Sequence, residues 1–249
     1  KCEYVAITIS RAQLEEARER VAAHPAGDAV AKRVRIEFCD YRDAAETLCR
    51  EPASSEDEKD DSAESSPSKG TFRPFDRVLS CEMIEAVGHA FLPSFFGAID
   101  ACLRPGGAAA LQIITVPDER YASYIKGSDF IRKHVFPGSN LVCLAAVEAA
   151  LPTTGANDDK SSVQNSETFR QLRLDRGATR SLGVAYARTL AAWRVRFEAR
   201  LAEVRALGFD EVFVRKWRYY LEYCEAGFAT RHIDDLQIRL VKTDQDAAL

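Results

Sequence analysis

The stretch "FDRVLSCEMIEAVG", Phe75 to Gly88, decides how this chain is read. Its first half, "FDRVLSCE", is apolar enough for a buried strand. Its second half carries two carboxylates three residues apart, Glu82 and Glu85. A strand that ends in acid places charge at its carboxyl end. In open α/β sheets, ligands sit outside those ends.

Working outward, the same pattern recurs. "YVAITIS" (Tyr4–Ser10) is β-rich, and "RAQLEEARERVAAH" follows with Leu14, Ala17 and Val21 at helical spacing. "RVRIEFCDY" alternates and ends in acid, which gives a second strand. "FDRVLSCE" is the third, "FLPSFFGAIDACL" a helix, "RPGG" a turn and "AAALQIITV" a fourth strand. Strands alternating with helices predict a parallel, doubly wound α/β sheet. "SDFIRKHVFPGS" then leaves the alternation. A long helix is expected from Tyr186, striped by Leu190, Trp193, Phe197, Leu201, Val204 and Leu207. "VRKWRYYLEYCEAGFATR" reads as a further helix, and "DDLQIRLVK" as a final edge strand.

The 249 residues, 46% of them hydrophobic, suffice for one large domain. No run of eighteen apolar residues spans a membrane. The seven cysteines are scattered and form no CxxC pair, so no metal site is expected and the thiols read as reduced, in a cytoplasmic setting. The net charge of −4 comes from residues 51–70, which hold seven acids and two lysines. The remainder is nearly neutral, which argues against nucleic acid as a partner. That segment, and a second polar stretch over about residues 152–167, are expected to be disordered insertions in a single domain covering 1–249.

Four strand ends are candidate sites: Thr8–Ser10, Asp40–Asp43, Glu82–Gly88 and Gln112–Thr115. Thr8 and Ser10 can bind ribose hydroxyls, or Ser10 can simply cap the helix that begins near Arg11. Asp40 with Tyr41 can hold an adenine, the carboxylate taking the amino group and the ring stacking, or Asp40 can be a turn residue. Glu82 and Glu85 can satisfy exposed N–H groups at a helix start.

Taken in order, "ITISRAQLEEARERV", "CDYRD", "FDRVLSCEMIEAVG", "LRPGGAAALQIITVPDERY", "SDFIRKHVFPG", "AYARTLAAWRVRF" and "LGFDEVFVRKWRYYLEYCEAGFATRHIDDLQI" resemble the cyclopropane-fatty-acyl-phospholipid synthase family, which includes the mycolic acid cyclopropane synthases. The resemblance implies a Rossmann-like, mostly parallel methyltransferase sheet with helical lid segments, and S-adenosylmethionine as cofactor. It places Thr8, Ile9, Ser10 and Gln13 on the ribose and methionine portions of the cofactor. Asp40, Tyr41 and Arg42 fall in the segment over its adenine. It also implies a bicarbonate ion acting as base, held by Glu85, Tyr186 and the backbone at Ile114. Gln112 stands where some members carry histidine; it can hydrogen-bond the ion but cannot titrate near neutral pH. Glu82 is then a neighbouring carboxylate near the cofactor or a helix terminus.

The implied reaction transfers a methylene group to the cis double bond of an unsaturated phospholipid acyl chain and closes a cyclopropane ring. Such chemistry needs a dry site, one positioned base, and aromatic faces for the cation. Phe130, Phe136, Trp217, Tyr219 and Tyr220 can supply those faces, or can be ordinary core. Expected partners are unsaturated acyl chains and a membrane surface met peripherally, with a homodimer admitted. Relatives with the same motifs methylate amines or make methyl branches, so another acceptor stays open. The family's Gly-rich loop after a first strand does not precede Lys1. The chain is therefore expected to be the C-terminal part of such an enzyme, or a truncated remnant that only binds lipid or a partner.

Overall fold

The computed structural model describes residues 2–49, 72–153 and 171–243. The two polar insertions lie outside the described residues, apart from Pro152 and Thr153. The described residues form six strands: β1 (Tyr4–Thr8), β2 (Val34–Phe38), β3 (Phe75–Cys81), β4 (Leu103–Thr115), β5 (Leu172–Ser181) and β6 (Asp234–Lys242). Between β1 and β3 lie helices α1 (Arg11–Ala22), α2 (Asp28–Ala31) and α3 (Ala44–Leu48), and α4 (Leu92–Cys102) precedes β4. After β4 come α5 (Asp118–Tyr124), α6 (Phe130–His134) and α7 (Leu144–Ala149). Then α8 (Gly183–Ala199), α9 (Leu201–Ala206) and α10 (Glu211–Ala229) separate β5 from β6.

The α/β class expected from the sequence is the one observed. β1 pairs in parallel with β2, and β3 in parallel with β4. Two strands are then added antiparallel, giving the order β3-β4-β6-β5. The β1–β2 pair is a separate sheet, so β1 and β3 each keep one edge without a strand partner among the described residues. Ile7 of β1 and Phe75 and Val78 of β3 nonetheless pack on one cluster around Ala44, Cys49 and Cys102.

Three expectations change. "DDLQIRLVK" is an interior strand, not an edge, because "LRLDRGATRS" pairs outside it as β5. β5 buries only Leu172 and Leu174 and exposes charge elsewhere, as an edge strand does; that composition hides it from a period-two reading. The "RPGG" turn lies inside β4 as a bulge: Phe75 pairs with Leu103, and Arg77 already with Ala108. The long helix from Tyr186 is broken at Arg200 into α8 and α9. Of its stripe, Leu190 is buried, but Trp193 and Leu207 are exposed.

β4 alternates strictly at its carboxyl half. Leu111 and Ile113 face the main core, with Leu236, Ile238 and Leu240 of β6 beside them and Phe95, Phe96 and Ile99 of α4 above. Truncating one of these buried side chains to alanine costs about 2–5 kcal/mol. Gln112 and Ile114 point to the opposite face, under α8 and α10, where Ile114 joins a second cluster with Leu190, Leu221 and Phe228.

Helix α8 is seated by β6. The Asp234 carboxylate accepts from Gly183 N at 3.0 Å and from Ser181 Oγ at 2.9 Å. A Cβ on Gly183 would stand 2.4 Å from Asp234 Oδ1. Gly183→Ala is therefore expected to destabilise the fold by about 1–3 kcal/mol. Urea denaturation measures it, and an unchanged midpoint would show that α8 is not held this way.

Candidate active site

The antiparallel register sets the site. Opposite Gln112 on β4 stands Gln237 of β6, and opposite Ile114 stands Asp235. With period-two alternation these four side chains share the face beneath α8 and α10. Gln237 Nε2 donates to Gln112 Oε1 at 3.1 Å, which turns the Gln112 amide nitrogen toward Tyr186. Gln112 Nε2 donates to the Tyr186 hydroxyl at 2.6 Å and to Glu82 Oε1 at 2.9 Å. The Tyr186 hydroxyl donates to Glu82 Oε1 as well. Burial, followed by this contact with Glu82, pushes the Tyr186 phenol well above its ordinary range. Its ring packs on Phe228 at 5.1 Å.

Of the two places expected for Glu82, near the cofactor or at a helix terminus, the helix terminus is not the one it takes. Its backbone is left-handed, at φ 48°, a conformation that costs a non-glycine residue about 1–2 kcal/mol. The 3-10 turn Ile84–Ala86 begins after Met83 and receives no side-chain cap. Instead Glu82 N donates to Gln112 O at 2.9 Å, and the side chain turns back over the end of β4.

Glu85 lies in that 3-10 turn and is buried. Its Oε1 accepts from Ile114 N at 2.6 Å, while Oε2 has no partner. Burial pushes its carboxyl upward, the Ile114 N–H opposes the shift, and Glu82 adds to it. Asp235 is a functional candidate that sequence reasoning missed. It is 0% exposed, and neither carboxylate oxygen has a hydrogen-bond partner. Burial, then the charges of Glu82, Glu85 and Asp234, push it up to about 7. The signal was legible: Asp235, Gln237 and Arg239 alternate with Leu236, Ile238 and Leu240. Reading the segment as an edge strand hid which face they occupy.

The residues expected to hold bicarbonate are thus brought together, but their donors are committed. Tyr186 and Gln112 donate to Glu82, and Ile114 N donates to Glu85. A further anion would meet the Glu82 carboxylate at the donors of Tyr186 and Gln112, which are already spent on it. The residues present do not fit an added bicarbonate.

The expected cofactor segments lie at the carboxyl ends of β1 and β2, tied by Cys39 N to Thr8 O at 3.1 Å. Ser10 Oγ accepts from Gln13 N at 3.3 Å and so caps α1. Thr8 Oγ1 donates to Gln13 Oε1 at 2.8 Å, and Ile9 is exposed. Asp40 accepts from Arg42 Nε and Nη2 at 2.9 and 2.7 Å, and this bonding holds its carboxyl down at about 2. The Tyr41 ring meets Phe95 edge-on at 5.6 Å, a packing role. Two neighbouring strand ends with an exposed turn and a fixed carboxylate fit an adenosyl group. Among the described residues no side-chain hydrogen bond joins them to the Glu82–Tyr186 network. Of the aromatic candidates, Trp217 and Tyr220 pack in the cluster that contains Tyr186 and Ile114. Phe136 meets Tyr220 at 6.3 Å, whereas Phe130 stacks edge-on with Tyr219 at 4.5 Å.

The model of the family described as "Mycolic acid cyclopropane synthetase" matches residues 1–238. The chain belongs to this family. It is 35% identical over 236 residues to a tuberculostearic acid methyltransferase of Mycobacterium tuberculosis, covering 95% of this chain and 44% of that protein. It is 29% identical over 241 residues to a probable fatty acid methyltransferase of Pseudomonas putida, covering 96% of this chain and 49% of that protein. The chain thus spans about half the length of these curated relatives. A solved structure of mycolic acid cyclopropane synthase CmaA1, complexed with SAH and CTAB, superposes with TM-score 0.66 at 22% identity, covering 96% of this chain and 70% of that one. That likeness establishes the family fold.

Asp235 makes stability pH-dependent. Its carboxyl is raised from 3.8 to about 7 on folding. Between those values the unfolded chain has released a proton that the folded chain keeps, so stability falls as pH rises through that window. The loss is on the order of a few kcal/mol. Asp235→Asn is expected to flatten this slope, raising Tm more at pH 8 than at pH 4. Equal shifts at both pH values in thermal denaturation would contradict it.

Proposed function

We propose that this chain carries the reaction centre of an S-adenosylmethionine-dependent methyltransferase acting on the double bond of an unsaturated phospholipid acyl chain, with closure of a cyclopropane ring. The observation that carries this reading is the convergence of Glu82, Glu85, Gln112 and Tyr186 at the carboxyl ends of β3 and β4, under an aromatic-lined pair of helices. S-adenosylmethionine, when bound, supplies an electrophilic methyl group on its sulfonium. Thr8, Ile9, Ser10 and Gln13, with Asp40, Tyr41 and Arg42, are the residues to hold it. Ile114, Trp217, Tyr220 and Phe228 form the apolar wall against which the acyl chain lies and which keeps water from the cation. The Trp217 and Tyr220 faces stabilise that positive charge. Glu85, through Ile114 N, fixes the end of β4 and with it Gln112.

A second reading, methyl branching of the same chain, is supported by the likeness to the tuberculostearic acid methyltransferase. The two share every step up to the cation and differ in how it is resolved. Both place the protein on a bilayer from the cytoplasmic side. No helix among the described residues is long and apolar enough to cross a membrane. Exposed Trp193, Val195, Leu207, Phe209 and Val212 lie along α8–α10 with exposed Arg188, Arg196 and Arg200, and suit peripheral docking on anionic lipid.

The test incubates the full-length enzyme with cofactor and unsaturated phospholipid vesicles. Ring protons in the product's NMR spectrum support the first reading, and a methyl or methylene branch on a chain that keeps one double bond supports the second. No lipid product from any vesicle counts against both. Glu85→Gln is expected to lower turnover at least tenfold while leaving the circular-dichroism spectrum unchanged; near-native turnover would remove Glu85 from the site. In flotation assays, binding is expected to rise with anionic lipid and fall with salt.

A further inference from the structure

We propose that Glu82 is the base of this reaction, a carboxylate built into the chain where the family resemblance implies a free bicarbonate. This rests on the methyl-transfer reading above and deepens it. Three observations converge. The Glu82 carboxylate takes the hydrogen bonds of Tyr186 and Gln112, two of the groups the resemblance assigns to the ion. The third, Ile114 N, is closed by Glu85. Glu82 also holds a left-handed backbone at φ 48°, where a glycine would be unstrained, and strain of this kind marks positions whose side chain is needed. A merely structural glutamate has no reason to sit there, since the 3-10 turn that follows takes no cap from it.

Glu82 can also reach a substrate. Oε1 carries both hydrogen bonds, the side chain is exposed, and Oε2 accepts none from the described residues. Gln112 and Tyr186 act as positioning residues: Gln237 sets the amide of Gln112, and the two donors together hold Oε1 and leave Oε2 without a hydrogen bond from the described residues. In the step itself, the alkene π pair forms the bond to the methyl carbon as the carbon–sulfur bond breaks, and the sulfonium leaves as a neutral thioether. The acyl chain is left with a carbocation. Glu82 Oε2 removes a proton from it, and the freed C–H pair closes the ring or forms a new double bond. One proton is gained by Glu82 and one positive charge is lost by the chain, so the step balances with no further reagent. Glu85 and Asp235, whose carboxyl groups lie close by, disfavour a second anion at this place.

Two measurements on the full-length enzyme test this. The first needs no acceptor lipid. Titration with ¹³C-bicarbonate, followed by NMR line broadening, is expected to show no binding to the wild type and binding to Glu82→Gly, which vacates the donors of Tyr186 and Gln112. Wild-type binding as tight as that of Glu82→Gly overturns the proposal, whatever the acceptor proves to be. The second is turnover. Wild-type activity is expected to change less than twofold when bicarbonate is stripped from the buffer. Glu82→Gln is expected to lose at least a hundredfold in kcat with little change in KM. Glu82→Gly, inactive alone, is expected to regain part of that loss with added bicarbonate or formate. A wild type that needs bicarbonate, or a folded Glu82→Gln with near-native kcat, overturns the assignment. A wild type that binds no bicarbonate and methylates no lipid leaves Glu82 in the ion's place and rejects only the acceptor.

Discussion

The antiparallel pairing of β6 with β4 is the constraint on which the rest depends. It gives β4 partners on both edges and so makes that strand the rigid axis of the described fold. It also fixes two faces at once. Leu236 opposite Ile113 and Ile238 opposite Leu111 close the main core on one side. Gln237 opposite Gln112 and Asp235 opposite Ile114 build the polar row on the other. A slip of one residue would exchange these sets, driving leucines under α8 and acids into the core. Core stability and site geometry therefore come from the same register.

That row carries an electrostatic load. Three carboxyl groups, Glu82, Glu85 and Asp235, act on one another, and no basic side chain among the described residues hydrogen-bonds to them. The protein meets this in different ways. Glu82 remains exposed and shares its oxygen with two donors, Glu85 spends one oxygen on a backbone N–H, and Asp235 has neither solvent nor donor. Burial raises the carboxyl groups of Glu85 and Asp235, so the low-dielectric side of the row favours their neutral forms.

Much of this was legible in the sequence. Apolar runs ending in polar residues mark β1 to β4 and their polar carboxyl ends, because strand burial and strand polarity switch within one or two positions. Glu85, Gln112, Ile114 and Tyr186, which the structure brings together, are legible because their motifs are local. Asp235 and Gln237 are not, since their significance depends on pairing with residues more than a hundred positions earlier. β5 was missed because an edge strand needs little apolar content. The backbone of Glu82 is hidden for a different reason: its left-handed conformation is not signalled by the residue type, and that backbone is what turns the side chain over β4.

The conformation at residue 82 has a genetic corollary. Glutamate codons become glycine codons by a single change at the second base. Glycine is the residue the backbone there accepts without strain, so folding stability and side-chain chemistry rank the two alternatives in opposite order at one position. One point mutation separates a chain that carries its own carboxylate from one with a relaxed turn and an open anion pocket. On the base role proposed for Glu82, dependence on dissolved inorganic carbon can therefore be gained or lost without any change elsewhere in the fold.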